Sequence, residues 1–280
     1  MYSILEHYLS TNHILMIGMI VTFILTFFLL EHPFSFLPSD QGRAFAVNGS
    51  LSKGKLRGVG FIFVLCFLIS SVLFLPIDVE YVIYAILLFA MMISGYLDDA
   101  SKTPWNEYKK GLIDLVISVV AVLTYMNFNS TTICFGADEI VIPKALFMIL
   151  GVILIWVSVN VTNCTDGVDG LCASLCSVTL LAFGVLFAPI LQKYAMANFL
   201  FLSVLFAYLY FNSSPSSMLM GDAGSRALGF YIAVIALKST HPFIYILLAA
   251  VMIVDGGIGL VKIALKRFLK ISILKKTRTP

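Results

Sequence analysis

The sequence predicts an all-α, polytopic helical membrane protein, and three observations predict it. Of its 280 residues, 60% are hydrophobic and only 12% charged, about half the roughly 25% charge of a soluble domain. Apolar runs of about 17 to 25 residues, long enough to cross a hydrocarbon core, recur along the whole chain. The runs are continuous rather than alternating, which favours helices over barrel strands as the spanning form. A mean hydropathy of +1.00 agrees.

Nine spans are visible, near residues 13–31, 59–77, 79–97, 111–127, 144–162, 170–190, 194–211, 226–240 and 242–262. The fourth and eighth are short because Asp114 and Arg226 intrude. The spans form a single transmembrane domain over 1–280, with no soluble domain or repeat between them. The longest hydrophilic stretches are 32–57, 98–110, 127–143 and a basic, amphipathic tail over 262–280, which suits a membrane surface. No basic segment precedes the first apolar run, so a cleaved signal peptide is not expected. The five cysteines (Cys66, Cys134, Cys164, Cys172 and Cys176) show no metal-ligand spacing and read as small apolar fillers. No clustered basic face exists outside the loops and tail, so nucleic acid is not an expected partner.

Lys and Arg fix the expected orientation. With the 32–57 loop placed in the cytoplasm, that side holds Arg43, Lys53, Lys55, Arg57, Lys102, Lys109, Lys110, Arg226 and the seven basic residues from Lys262 onward. The opposite side holds only Lys144, Lys193 and Lys238. The N-terminus then lies outside and the tail inside.

Three polar motifs fall on that same cytoplasmic side. Tyr96-Leu97-Asp98-Asp99 closes the third span, Asn160, Asn163, Asp166 and Asp169 sit where the fifth meets the sixth, and Met220-Gly221-Asp222-Ala223-Gly224-Ser225 separates the seventh from the eighth. Clustered carboxylates repel one another and call for a cation. Asp98, Asp99, Asp166, Asp169 and Asp222 offer hard oxygens with no His or Cys among them, which suits Mg2+ held together with substrate phosphates. The glycines beside these acids allow backbone N–H groups to face a phosphate. Acids near the membrane midplane and matched halves would instead mark a secondary transporter, and neither is seen.

These motifs resemble the polyprenyl-phosphate N-acetylhexosamine-1-phosphate transferase superfamily, and within it the phospho-N-acetylmuramoyl-pentapeptide transferases. Gly95-Tyr-Leu-Asp98-Asp99 is similar to the family's GxxDD. Asn160-Val-Thr-Asn163-Cys-Thr-Asp166-Gly-Val-Asp169-Gly-Leu is similar to its NxxNxTDGxDGL, and Met220-Gly-Asp222-Ala-Gly-Ser225-Arg-Ala-Leu-Gly229 to its MGDxGSxALG. The resemblance covers about residues 40 to 262. It implies a ten-span homodimer of the bacterial inner membrane. That enzyme transfers phospho-N-acetylmuramoyl-pentapeptide from UDP-MurNAc-pentapeptide to undecaprenyl phosphate, with Mg2+, giving lipid I and UMP for peptidoglycan synthesis.

Carried over residue by residue, the resemblance makes Asp98, Asp99, Asp222 and Lys110 the catalytic set, with Lys109 the alternative register for the lysine. Asp222 and Asp166 would hold the metal. Asn160, Asn163, Asp166, Asp169, Asn212 and Leu219 would bind substrate. Leu219 stands where the family often has a uracil-stacking Phe, so either another aromatic such as Phe211 or Phe230 substitutes or the nucleotide is held more weakly. The family's KxGTPTMGG is replaced by Ser52-Lys53-Gly54-Lys55-Leu56-Arg57-Gly58-Val59-Gly60, which keeps glycine and charge but not the pattern. Its histidine-rich segment and tenth span would follow Pro280. A GlcNAc-1-phosphate transferase, sharing the carboxylates but not the sugar pocket, is the rival reading.

Overall fold

The computed structural model describes residues 1–32, 34–40, 42, 52–101, 103, 105–136 and 138–268. A short α1 (Tyr2–Leu5) leads into α2 (Thr11–Glu31), then α3 (Gly60–Phe74), α4 (Val79–Asp99) and α5 (Glu107–Phe128). A two-stranded ribbon follows, β1 (Thr132–Phe135) with β2 (Asp138–Val141), and then α6 (Lys144–Thr165), α7 (Leu171–Leu186) and the single turn α8 (Ala188–Leu191). The chain continues through α9 (Lys193–Asn212), α10 (Gly221–Lys238), α11 (Ile244–Leu248) and α12 (Ala250–Phe268). The basic tail beyond Phe268 lies outside the described residues, as do Arg43 and Lys102.

Each expected span is helical, but nine full crossings are not what the described residues give. Five helices, α2, α4, α5, α6 and α9, are long and apolar enough to cross a membrane. At 1.5 Å per residue, α3 and α7 reach only about 22 to 24 Å, short of a hydrocarbon core of about 30 Å. The expected span over 242–262 is divided between α11 and α12 at Ala249. The ribbon also departs from the all-α expectation. It occupies the stretch read as a hydrophilic loop, in antiparallel register from Thr132 opposite Val141 to Phe135 opposite Asp138.

At the centre of the bundle, α10 is buried along its length from Gly221 to Leu237 and packs against α4, α6, α3 and α7. This explains why a helix carrying Asp222, Arg226 and Lys238 survives here: its charges meet protein rather than lipid. Arg226, which sequence reading took to weaken this span, forms a fully buried ion pair with Asp114 of α5. Around it, the outer helices expose large apolar side chains such as Ile20, Phe28, Val72, Ile86, Leu123 and Ile149. A water-soluble surface rarely carries so much, and together with the spans this makes the chain a multi-pass membrane protein.

The ends of the bundle differ in chemistry. At one, Lys238 closing α10 binds both carboxylate oxygens of Glu80 in the first turn of α4, at 3.1 and 3.0 Å, and Asn129 after α5 at 2.7 Å. Asp78 caps α4 by accepting from the Tyr81 N–H and pairs with Lys193 of α9. The other end holds the carboxylate motifs. Close backbone approach of α4 to α10 positions them, because a Cβ on Gly95 would stand 2.3 Å from the Asp222 carbonyl oxygen.

Replacing Gly95 by Ala is therefore expected to force α4 off α10 and cost about 1–3 kcal/mol. Gly111 of α5 has nothing within 4 Å of an added Cβ, so Gly111→Ala should leave stability equal or slightly higher. Thermal unfolding in detergent reads both, and equal melting temperatures for the two variants would contradict this packing.

Candidate active site

Local sequence sets each functional side chain. At the end of α4, the Ser101 hydroxyl donates to the Asp98 carbonyl at 2.7 Å and stops the helix there. The chain then doubles back so that the Trp105 N–H donates to Asp98 Oδ1 at 2.7 Å. Asn106 caps α5 through the Lys109 N–H at 2.8 Å, the usual way to satisfy a free helix-end donor. That cap places Lys110 in the first turn of α5, with its ammonium on Asp98 Oδ2 and, at 3.0 Å, on Asp222 Oδ2. The neighbouring Lys109 lies 3.2 Å over the Trp105 ring instead, so Lys110 is the register that reaches the acids.

Asp222 opens α10. Gly221 before it has φ +66°, in the left-handed region, and a Cβ there would stand 2.3 Å from Asp99 Oδ2. Only glycine meets both demands at this position. The same Asp99 oxygen accepts from the Ala223 N–H at 3.1 Å, which ties the end of α4 to the start of α10. Asp99 Oδ1 faces Arg57 Nε at 2.9 Å. Arg57 also reaches Asp222 Oδ1 at 3.3 Å and Asp40 Oδ1 at 3.5 Å. Burial would lower the Arg57 pKa, but Asp99, Asp222, Asp40 and Asp166 outweigh it and hold that pKa above its ordinary value.

The second motif lies beside this core, in the turn from α6 to α7. Asp169 Oδ2 accepts from the Ser216 N–H at 3.0 Å and stands 3.7 Å from Lys55, which in turn donates to the Ser216 hydroxyl at 2.9 Å. The buried Asn212 at the end of α9 accepts from the Gly170 N–H at 3.0 Å and donates to the Met218 carbonyl at 2.9 Å. This pins the turn to the segment that leads into Gly221. Asp166 is half-buried and close enough for its charge to bear on Arg57. Asn163 is half-buried on the last turn of α6, and the Asn160 side chain donates back to its own helix at the Trp156 carbonyl, 2.8 Å away.

The structure therefore brings Asp98, Asp99, Asp222 and Lys110 into one contact network, with Asp166 and Asp169 in the adjoining turn and Asn212 bonded to that turn from the end of α9. Leu219 is placed differently from an open stacking surface. It is buried, and its backbone pairs with Leu56 and Val59. Of the two aromatic substitutes, Phe230 is buried in the core, whereas Phe211 is only half-buried and packs on Phe27. Sequence reading passed over Arg57, Asp40 and Lys55 as site residues. For Arg57 and Lys55 the signal was the basic, glycine-rich stretch from Lys53 to Gly60.

Oxygen donors suited to Mg2+ are present. Asp98, Asp99 and Asp222 bring hard oxygens to one helix junction, where Lys110 and Arg57 pair with them. Among the described residues, no three acidic or sulfur or imidazole groups are arranged to hold a metal by themselves. An ion at this junction would rest on one or two carboxylates, completed by substrate phosphates and water.

Comparison with known proteins places these residues in a family. The model for glycosyl transferase family 4 matches residues 81–240. A phospho-N-acetylmuramoyl-pentapeptide-transferase of Treponema pallidum is 36% identical over 286 residues, covering 94% of this chain and 79% of that protein. Proteins of the same name from Halalkalibacterium halodurans and Dictyoglomus turgidum are 28% and 25% identical, each covering 87% of this chain.

Asn212 is the test of how the turn is held. Asn212→Ala leaves the Gly170 N–H and the Met218 carbonyl without their partner, at a cost of about 1–3 kcal/mol. A melting temperature equal to that of the unaltered protein would show that the pin does not carry load.

Proposed function

The chain belongs to the phospho-N-acetylmuramoyl-pentapeptide transferase family, and on that premise we propose that it moves phospho-N-acetylmuramoyl-pentapeptide from UDP-MurNAc-pentapeptide to undecaprenyl phosphate. The products are lipid I and UMP. Membership itself makes the chain a membrane phosphoglycosyl transferase of peptidoglycan synthesis. The observation that carries the finer reading is Lys110, held between Asp98 and Asp222 where three helix ends meet.

Both substrates are anionic, so the first requirement is to offset their repulsion. In this reading Lys110 turns from its carboxylates toward the phosphates and stays within reach of both. An oxygen of the lipid phosphate attacks the sugar-bearing phosphorus of the nucleotide. A new P–O bond forms, the bond from that phosphorus to the bridging oxygen breaks, and the electron pair leaves on UMP. Phosphoryl transfer of this kind depends on positioning and charge stabilisation more than on covalent help. Mg2+ held at Asp222 and Asp166 would supply further neutralisation of the phosphate oxygens.

The two neighbouring aspartates divide their work. Asp99 is enclosed by Gly58 and Gly221 and bonded to the Ala223 N–H, so it positions α10. Asp98 sits directly on Lys110 and is assigned the proton of the lipid phosphate when that group arrives protonated. Asn160, Asn163, Asp166, Asp169 and Asn212 line the nucleotide side, with the half-buried Phe211 the aromatic candidate for uracil. This end of the bundle faces the cytoplasm, as the Lys and Arg distribution indicates, and the enzyme works as a homodimer.

The direct test supplies purified protein with UDP-MurNAc-pentapeptide and undecaprenyl phosphate and follows UMP release. Turnover is expected to stop with EDTA and return with Mg2+. Asp222→Asn should insert normally and lose at least about 100-fold in kcat. Consumption of UDP-GlcNAc alone would overturn the donor, and near-normal turnover in Asp222→Asn would overturn the role of Asp222.

A further inference from the structure

Arg57 is the strongest feature at this site that the motifs do not account for. Its backbone is fixed on both sides. Its N–H donates to the Pro38 carbonyl at 2.8 Å, the adjacent Leu56 carbonyl accepts from Leu219 at 2.8 Å, and the Gly60 N–H donates to the Met220 carbonyl at 3.1 Å. The side chain rooted there extends across the start of α10 to Asp222. Its guanidinium meets three carboxylates from three parts of the chain: Asp99, Asp222 and Asp40. Both oxygens of Asp222 are thereby engaged, Oδ1 by Arg57 and Oδ2 by Lys110.

A divalent ion and a guanidinium cannot both sit close to one carboxylate oxygen without strong like-charge repulsion. Of the two cations on Asp222, Arg57 makes the longer contact, 3.3 Å against 3.0 Å. It also has a second seat. Asp40 is held ready by the Ser52 hydroxyl at 2.5 Å and the Gly42 N–H at 3.2 Å, and it already faces Arg57 Nη1. Asp40 and Asp99 therefore already hold the guanidinium, at 3.5 and 2.9 Å, independently of Asp222.

We propose that Arg57 is a positioning residue that competes with the divalent metal for Asp222, with Asp40 as the alternative seat for its guanidinium. This rests on the reading of Asp222 as a metal ligand. Competition weakens metal binding until the guanidinium moves aside, and it keeps Asp99 and Asp222 from repelling each other until then. A lysine at 57 would keep the charge but not the planar fork that spans three carboxylates.

The test is Mn2+ titration of the purified full chain in detergent, followed by electron paramagnetic resonance without nucleotide. Arg57→Gln is expected to tighten Mn2+ binding roughly 5-fold or more, the range of an ordinary coupling between sites. Arg57→Lys should fall between it and the unaltered protein. Equal or weaker binding in Arg57→Gln overturns the proposal. Arg57→Lys binding Mn2+ just as the unaltered protein does also overturns it, in favour of simple net charge, and this arm stands even if the Gln variant fails to fold. Asp222→Asn separates the two readings. If that variant binds Mn2+ undiminished, the metal role of Asp222 fails. If it loses Mn2+ while both Arg57 variants are unchanged, only the competition fails.

Discussion

The carboxylate of Asp222 is shared between two cations that reach it from opposite directions, Arg57 from the segment before α3 and Lys110 from the first turn of α5. Each cation also holds an acid at the end of α4, Asp99 for Arg57 and Asp98 for Lys110. Removing one partner from such a buried set leaves an uncompensated charge, which costs about 3–5 kcal/mol. The same set gathers the chain segments a phosphate-transfer site would need. Electrostatics at this point is therefore both the fastening of three elements and the store of charge available to anionic substrates.

That store is possible only because of what surrounds it. The helix α10 is enclosed by α3, α4, α6 and α7, so its charged residues need never face lipid. Deeper in the same helix Arg226 and Asp114 neutralise each other, and at its far end Lys238 is held by Glu80 and Asn129. The axis of the bundle is thus a ladder of paired charges, while the rim is apolar. In the proposed reaction, the richest rung at the helix ends is where a lipid phosphate with its tail in the bilayer would meet a water-soluble nucleotide.

Much of this was legible in the sequence, and the reasons differ by residue. Asp98, Asp99 and Asp222 stand out because each lies at a helix end beside a glycine-bearing motif, whereas Lys110 was reached only through the family resemblance, with Lys109 as its alternative register. Arg57 does not stand out, because its role depends on contacts 17, 42 and 165 residues away, with Asp40, Asp99 and Asp222. The ribbon over Thr132–Val141 was hidden for a different reason: hydropathy reads a short polar stretch between spans as loop, and eight paired residues are too few to show a period. Arg226 was misread for a third. A charge in an apolar run looks like a weakness until its partner on another helix, Asp114, is seen.

The central claim is that Lys110 and Asp222 act as one unit, a cation and a carboxylate that serve the same phosphates. A double-mutant cycle on UMP release tests it most directly, using Lys110→Met, Asp222→Asn and the two together. Residues that act as a unit give strongly non-additive losses, whereas independent ones multiply. The account predicts that the double variant is about as slow as the slower single variant. Losses in the double variant that equal the product of the two single losses would contradict it.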